Sequence, residues 1–109
     1  MPTLIFDEVD VGVGGAIAEI VGQRLRTLGT ERQVLCVTHL PQVASQGHHH
    51  LRVSKQRHKQ STTTRIERLD EQQRGEEIAR MLGGIEITAQ SKAHAAEMIA
   101  RAKKSATVI

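Results

Sequence analysis

The sequence predicts an α/β domain in which parallel strands are joined by a crossover helix and followed by a β-hairpin and C-terminal helices. Two continuous apolar runs, residues 3–6 and 34–37, predict strands that are buried on both faces. Between them, apolar residues recur at helical spacing and predict one helix. A strand, a helix and a second strand in this order predict a right-handed crossover and a parallel pair.

Length and composition limit what this domain can be. With 109 residues the chain is smaller than a complete nucleotide-hydrolysing domain, so we expect residues 1–109 to form a single partial domain. Its net charge of +3 is local, because residues 31–69 hold seven basic and two acidic side chains. One Phe and no Trp or Tyr leave almost no surface on which bases can stack, which weighs against a single-strand or RNA-binding platform.

The single cysteine and the lack of targeting patterns predict a cytoplasmic chain. Cys36 lies inside the second apolar run, which favours a packed side chain over a reactive thiol. One cysteine cannot form an intrachain disulfide and suits a reducing compartment. We find no signal-peptide pattern and no apolar run of membrane-spanning length.

The remaining elements can be predicted in order. The first helix ends at Gly29, as helices commonly do at glycine, and its apolar stripe comprises Ile17, Ile20, Val21, Leu25 and Leu28. Residues 40–44 predict a short helix with a proline in its first turn. Residues 48–55 and 62–69 predict the hairpin, and Asp70 with Gln73 predicts a helix start.

Two further helices complete the prediction. Residues 76–82 form the first, which stops at the glycine pair 83–84. The second runs from about Thr88 to about Lys103, with Ala93, Ala96 and Ile99 on one face.

Polar side chains follow both predicted parallel strands. Asp7 and Glu8 end the first strand and His39 follows the second, at the sheet edge where ligands of open α/β sheets bind. Carboxylates there suit a magnesium ion and an activated water, and the alternative is a solvated turn. His39 suits a phosphate sensor, and the alternative is a capping or buried histidine. Residues 12–15 do not form a dinucleotide loop, because Ile17 stands where G-x-G-x-x-G needs glycine.

Two other clusters invite a function. The run His48-His49-His50 suggests a metal site, but two imidazoles on one strand face without a nearby Cys, Asp or Glu make a poor closed site, so we interpret the run as a polar strand start. The basic hairpin is either a solvated face or a DNA contact, for which Arg52, Lys55 and Arg57 are the candidates.

Several of these motifs resemble a known family. Residues 3–8 resemble the Walker B strand of ABC-type ATPases, and Asp7-Glu8-Val9-Asp10 is similar to the form in structural-maintenance-of-chromosomes (SMC) proteins. Residues 11–15, 37–44 and 77–84 resemble more narrowly the RecN family of bacterial DNA repair proteins. The resemblance covers most of the chain and implies the C-terminal part of an ABC/SMC-type P-loop ATPase head, from Walker B onward.

The resemblance also implies roles for individual residues, with ATP and Mg²⁺ as cofactors. Asp7 would hold magnesium, Glu8 would polarise the hydrolytic water, and His39 would contact the γ-phosphate. A loop containing Gly12, Gly14 and Gly15 would cross toward a partner head in the ATP-bound homodimer. Gly14 departs from the family pattern, which often has an aspartate there, so backbone groups would have to replace that side chain.

Two motifs of such ATPases are missing from the chain. It contains neither G-x-x-x-x-G-K-S/T nor the Leu-Ser-Gly-Gly signature, so the phosphate cradle would come from an N-terminal P-loop half of the same protein. We expect these residues alone to be inactive as an ATPase. The whole protein would repair and recombine broken DNA in the cytoplasm, near the nucleoid and without a membrane. The alternative is a non-catalytic DNA-binding module that uses the hairpin.

Overall fold

Strands and helices follow one another as an α/β chain, as the sequence predicts. The computed structural model describes residues 3–7, 12, 14–83 and 87–105. The elements, in chain order, are β1 (Thr3–Asp7), α1 (Gly15–Gly29), β2 (Gln33–Val37), α2 (Pro41–Ala44), β3 (Leu51–Arg57), β4 (Thr62–Arg68), α3 (Glu71–Gly83) and α4 (Ala89–Ser105). None of the helices in these ranges is long and apolar enough to cross a membrane.

The first sheet is the parallel pair of β1 and β2, which runs in register from Thr3 opposite Gln33 to Asp7 opposite Val37. One face is half-buried and the other is open. The half-buried side chains alternate along both strands and are those of Leu4, Phe6, Val34 and Cys36. The open face carries Ile5, Leu35 and Val37, which are 69%, 46% and 56% exposed. The prediction that both faces are buried is therefore wrong for this chain, because no element in the described ranges covers the second face.

Helix α1 packs against β2 and, more extensively, against α2. Its buried residues are Ala18 and Gly22, whereas Ile17, Ile20 and Leu28 of the predicted stripe are exposed. The predicted face is therefore only partly correct. Helix α2 and the residues after it approach so closely at Gly22 that a Cβ atom there would lie 3.0 Å from the Gln42 carbonyl oxygen and 2.7 Å from Gln46 Cγ. Only small residues fit such a contact, so the larger apolar side chains lie beside it.

The main hydrophobic cluster lies between α3 and α4. Its buried members are Ile78, Ala79, Ala95 and Ile99, and partly buried side chains from α2, α3 and α4 pack around them. The sequence analysis placed Ala93, Ala96 and Ile99 on one face of α4. That face is only partly buried, because Ile99 lies in the interior with Ala95 and Ala102, whereas Ala93 and Ala96 are exposed.

Both C-terminal helices begin with a reciprocal cap. Before α3, Gln73 N donates to Asp70 Oδ1 at 2.7 Å and Asp70 N donates to Gln73 Oε1 at 3.0 Å, which confirms the predicted helix start. Before α4, Ser91 N donates to Thr88 Oγ1 at 3.0 Å and Thr88 N donates to Ser91 Oγ at 2.9 Å. These side chains satisfy backbone N–H groups that have no partner within the helix.

The second sheet is the antiparallel hairpin of β3 and β4, in which Leu51 pairs with Arg68 and Arg57 with Thr62. Its strands contact each other far more than they contact the rest of the chain. One face of the hairpin carries apolar side chains that are open to solvent: Leu51, Val53 and Ile66. The hairpin therefore projects from the helical part of the molecule rather than packing into it.

Candidate functional site

The carboxyl ends of β1 and β2 bring Asp7 and His39 to the same edge of the parallel sheet. Asp7 is the last residue of β1 and pairs in register with Val37, the last residue of β2. His39 follows two residues later, and both Asp7 and His39 are exposed. The arrangement follows directly from the parallel pairing, since parallel strands end at the same edge. It presents one carboxylate and one imidazole to any ligand at that edge.

Glu8, the predicted catalytic carboxylate, lies outside the described residues. Of the glycine loop, Gly12, Gly14 and Gly15 are described. Gly12 has a φ of +72°, in the left-handed region where glycine is favoured over residues with a Cβ atom. Gly14 is the N-cap of α1, and its carbonyl oxygen accepts a hydrogen bond from Ala18 N at 2.8 Å. The chain therefore turns at these glycines and enters α1.

The loop and the His39 segment approach each other through helix α2. A Cβ atom on Gly15 would lie 3.6 Å from Gln42 Nε2, which belongs to α2. Leu40 is the N-cap of α2, and its backbone N–H donates to Thr38 Oγ1 at 3.1 Å. His39 therefore sits between a strand end and a capped helix start, three residues before Gln42, whose side chain approaches Gly15.

Two arginines hold the chain that follows α2, and neither was identified from the sequence. Arg74 of α3 is only 4% exposed, and its Nη2 contacts the carbonyl oxygens of Ala44, Ser45 and Gly47 at 3.3, 3.0 and 2.5 Å. Arg26 of α1 donates from Nη1 to the Gln46 carbonyl oxygen at 2.7 Å. Burial lowers the pKa of both guanidinium groups from their usual value. An arginine within a helical sequence pattern normally indicates the solvent-exposed face. The sequence pattern therefore does not show that Arg26 and Arg74 bind backbone carbonyls.

The histidine run continues from this arginine-bound segment into β3. Burial lowers the pKa of His48 and of His50, and neighbouring arginines act in the same direction. His49 Nδ1 lies 2.9 Å from Arg68 Nη2 at the base of the hairpin. Across the described ranges, no three His, Cys, Asp or Glu side chains are grouped so that they could hold a metal ion. The run therefore behaves as a structural link between α2 and the hairpin.

A cleft of about 210 Å³ lies between α1, α2 and α4. Gly15, Gln42 and Gln46 are part of its wall, with Glu19 and Arg101, whereas Asp7 and His39 are not. Nucleotide-sized ligands usually occupy pockets of about 300–1,000 Å³. The cleft is therefore too small for a nucleotide, and any phosphate ligand of Asp7 and His39 would bind at the open sheet edge.

The candidate DNA contacts differ in their surroundings. Arg52 lies 3.1 Å from Glu67 and 3.5 Å from Glu77, so two carboxylates compensate its charge. Lys55 and Arg57 are exposed near the tip of the hairpin and form no ion pair with other described residues. The free positive charge of the hairpin is therefore at its tip rather than at its base.

Glu77 secures the base of the hairpin to α3. Its side chain is 5% exposed, accepts hydrogen bonds from Arg80 and pairs with Arg52. The hydrogen bond from Arg80 lowers the pKa of the Glu77 carboxyl below its usual value, and Arg52 adds to this effect. The carboxylate therefore stays ionised although it is buried.

Comparison with known proteins finds relatives named DNA repair protein RecN. The chain is 59% identical over 99 residues to "DNA repair protein RecN" of Xylella fastidiosa (strain 9a5c), which covers 91% of this chain and 18% of the relative. The protein of the same name from Vibrio cholerae is 55% identical over 98 residues, and that from Bacillus subtilis is 41% identical over 105 residues. These matches cover 90% and 96% of this chain and again 18% of each relative. No family model matches the chain.

These identities confirm the resemblance that the sequence motifs suggested. The chain is homologous to one segment of RecN proteins and spans less than a fifth of the length of the relatives it matches. An identity of 59% over almost the whole chain indicates the same local fold in the relative.

Proposed function

We propose that this homologue of a RecN segment forms the C-terminal part of an ATP-hydrolysing head, from the Walker B strand onward, in a protein of DNA double-strand-break repair and recombination. The observation that supports this most directly is the placement of Asp7 and His39 at one edge of a parallel sheet. The name of the relatives supports the repair role, and a role on chromosomal DNA favours a cytoplasmic, nucleoid-associated protein.

The side chains at the edge suit ATP and Mg²⁺. Carboxylate oxygens are preferred magnesium ligands, and the Asp7 carboxylate stands exposed at the strand end, so the donor set fits part of such a site. Magnesium, when bound with ATP, would neutralise charge on the phosphates. Glu8 would orient and polarise the attacking water, and His39 would donate a hydrogen bond to the γ-phosphate. Gly12, Gly14 and Gly15 would present backbone N–H groups to the partner head.

The rest of the site would come from a P-loop lobe. No lysine-containing phosphate cradle occurs in this chain, and the open face of Ile5, Leu35 and Val37 offers an apolar surface to such a lobe. Parallel sheets are normally covered on both faces, which favours a second layer from the N-terminal half of the protein. A homodimer of heads would then close around ATP.

The decisive test uses a chimera in which this chain replaces the matching segment of the Xylella fastidiosa relative. Glu8→Gln should keep ATP binding but lower ATP turnover by at least about 100-fold, because the amide keeps the shape and loses the basic carboxylate. Glu76→Gln, an exposed carboxylate on α3, is the matched control and should turn over normally. Unchanged hydrolysis in Glu8→Gln would refute the assignment of Glu8.

The positive charge at the hairpin tip favours DNA as a binding partner of the proposed ATPase head. The sequence from residue 32 to residue 66 contains no Asp or Glu, and Lys55 and Arg57 lie exposed near its end. Replacing both with Gln in the chimera should weaken duplex binding and lower the dependence of affinity on salt, whereas Arg52→Gln should change binding less. Equal binding by the double variant and the parent would exclude this contact.

A stand-alone, non-catalytic DNA-binding module is not favoured. The relatives are named DNA repair proteins and are more than five times as long as the matched segment, since the segment is 18% of their length. The carboxylate and the imidazole at the sheet edge would also have no purpose in such a module. We therefore treat the hairpin as an accessory contact of the head.

A further inference from the structure

The end of α2 and the residues that follow it are held from two sides by two arginines, of which Arg74 is buried and Arg26 is half-buried. Four successive backbone carbonyls, those of residues 44–47, accept hydrogen bonds from Arg74 or Arg26. The arginines come from α3 and α1, two helices that flank α2. We refer to Arg26, Arg74 and residues 44–47 as the arginine clamp. The sheet-edge chemistry proposed above does not use either arginine.

The burial of Arg74 calls for an explanation. A buried guanidinium is costly unless its donors are matched, and within the described residues Arg74 forms no ion pair with a carboxylate. Its Nη2 instead faces three carbonyl oxygens at the end of α2, and its Nε has no hydrogen-bond partner. An apolar residue would fill this space at lower cost. What arginine adds is a fixed position for the backbone it binds.

Close packing prevents α2 from moving independently of the clamp. A Cβ atom on Gly22 would lie 3.0 Å from the Gln42 carbonyl oxygen and 2.7 Å from Gln46 Cγ. The backbone of α2 and the Gln46 side chain therefore lie directly against the backbone of α1 at Gly22. Because α2 has only four residues, a shift at its C-terminal end reaches its N-cap within one turn.

His39 is attached to that N-cap. Leu40 caps α2, and the hydrogen bond from Leu40 N to Thr38 Oγ1 brackets His39 within a tight turn. Pro41 at the first turn restricts the backbone further, since its φ is fixed. A displacement of α2 would therefore move the imidazole of His39 relative to the sheet edge.

We propose that Arg74 and Arg26 are positioning residues that place His39 for contact with the terminal phosphate. This inference rests on the proposed ATPase function. It predicts that the arginines matter for turnover rather than for nucleotide binding, because His39 acts on the γ-phosphate while the P-loop lobe supplies most of the affinity. It also predicts that their effect passes through His39.

A double-mutant cycle in the Xylella chimera tests this. Arg74→Met should lower kcat by about 10- to 100-fold, the loss expected for a misplaced catalytic group, while ATP affinity changes by less than about 3-fold. In a His39→Ala background, Arg74→Met should lower kcat by less than about 2-fold, because residues that act as a unit are not additive. Arg80→Met, on the same helix, is the control and should affect both backgrounds equally.

Each other outcome decides against the proposal. Equal kcat losses from Arg74→Met with and without His39 would show a general structural role. If Arg74→Met does not fold, Arg26→Gln, which removes a single hydrogen bond, is carried through the same cycle with the same criterion. If His39→Ala and Glu8→Gln both leave turnover unchanged, the ATPase function itself is wrong and the positioning role fails with it.

Discussion

Gly22→Ala provides the sharpest test of the packing between α1 and α2. In an ordinary helix interior, alanine is more favourable than glycine by about 0.8–1 kcal/mol. At Gly22 the new Cβ atom would lie 2.7 Å from Gln46 Cγ and 3.0 Å from the Gln42 carbonyl oxygen. The first belongs to a side chain that is 95% buried and the second to the backbone, so neither can move away freely.

The magnitude follows from these two opposing terms. Overpacking a close contact costs about 1–3 kcal/mol, and the immobile neighbours place Gly22→Ala near the upper value. Subtracting the helix-propensity gain leaves a net destabilisation of about 2 kcal/mol. Gly75→Ala in α3 is the matched control, because no atom lies within 4 Å of its added Cβ. It should stabilise the chain by about 0.5–1 kcal/mol.

Urea unfolding of the 109-residue chain, followed by far-ultraviolet circular dichroism, measures both changes. With a denaturant dependence of about 2 kcal/mol/M, Gly22→Ala should lower the midpoint by about 1 M and Gly75→Ala should raise it slightly. If both substitutions raise the urea midpoint by similar amounts, α1 and α2 are not in backbone contact. That result would also refute the packing that connects α1 to the arginine clamp.

Three further predictions concern the core, a buried histidine and a helix cap. Ile78→Ala, at a position with no exposed surface, should destabilise the chain by about 2–5 kcal/mol, whereas Ile17→Ala at an exposed position should have little effect on the urea midpoint. Burial lowers the pKa of His50, so its contribution to stability is complete above pH 6.5 and is lost as the pH falls further. His50→Gln should therefore reduce the fall in urea midpoint that acid causes; an unchanged pH dependence would contradict this. Asp70→Ala removes the side-chain acceptor of the α3 cap and should cost about 0.5–2 kcal/mol in the same unfolding assay; a neutral result would mean that the cap contributes nothing to stability.

The order of elements could be predicted because each has its own local signal. Two apolar runs separated by a helical pattern require a parallel pair if they belong to one sheet, and the structure pairs β1 with β2 in that way. The strand-like pattern after residue 47 predicted the hairpin correctly, although β3 begins at Leu51 rather than at His48. Asp70 and Gln73 have the spacing of a helix cap and form one.

The faces of the helices were harder to predict, because small residues weaken the apolar signal. In α4, alanines occur on every side, so periodicity alone did not separate exposed Ala93 and Ala96 from buried Ala95. In α1, the sequence pattern favoured the largest apolar residues, whereas the close approach of α2 required Ala18 and Gly22. Tertiary contact decided both cases.

In the candidate site, too, the residues placed by strand topology could be predicted and those placed by tertiary contacts could not. Asp7 and His39 could be placed at one edge because strand ends carry a clear topological meaning. Arg26 and Arg74 could not be found, because a charged residue in a helical pattern normally faces solvent and the sequence does not show which carbonyls a distant guanidinium will reach. The roles of Asp7, Glu8 and His39 stay predictions until turnover is measured.

Helix α2 also connects the two parts of the molecule that can unfold locally. The parallel strands and α1 form one group of contacts, α3 and α4 form another, and the four residues of α2 contact both groups. Such an arrangement favours two cooperative units that exchange their amide hydrogens at different rates, with the α2 junction setting how strongly the opening of one unit affects the other. A ligand that stiffens the sheet edge would then slow amide hydrogen exchange in α3 and α4, far from the atoms it touches. The four-residue helix α2 would transmit this protection, because it is the element that contacts both groups.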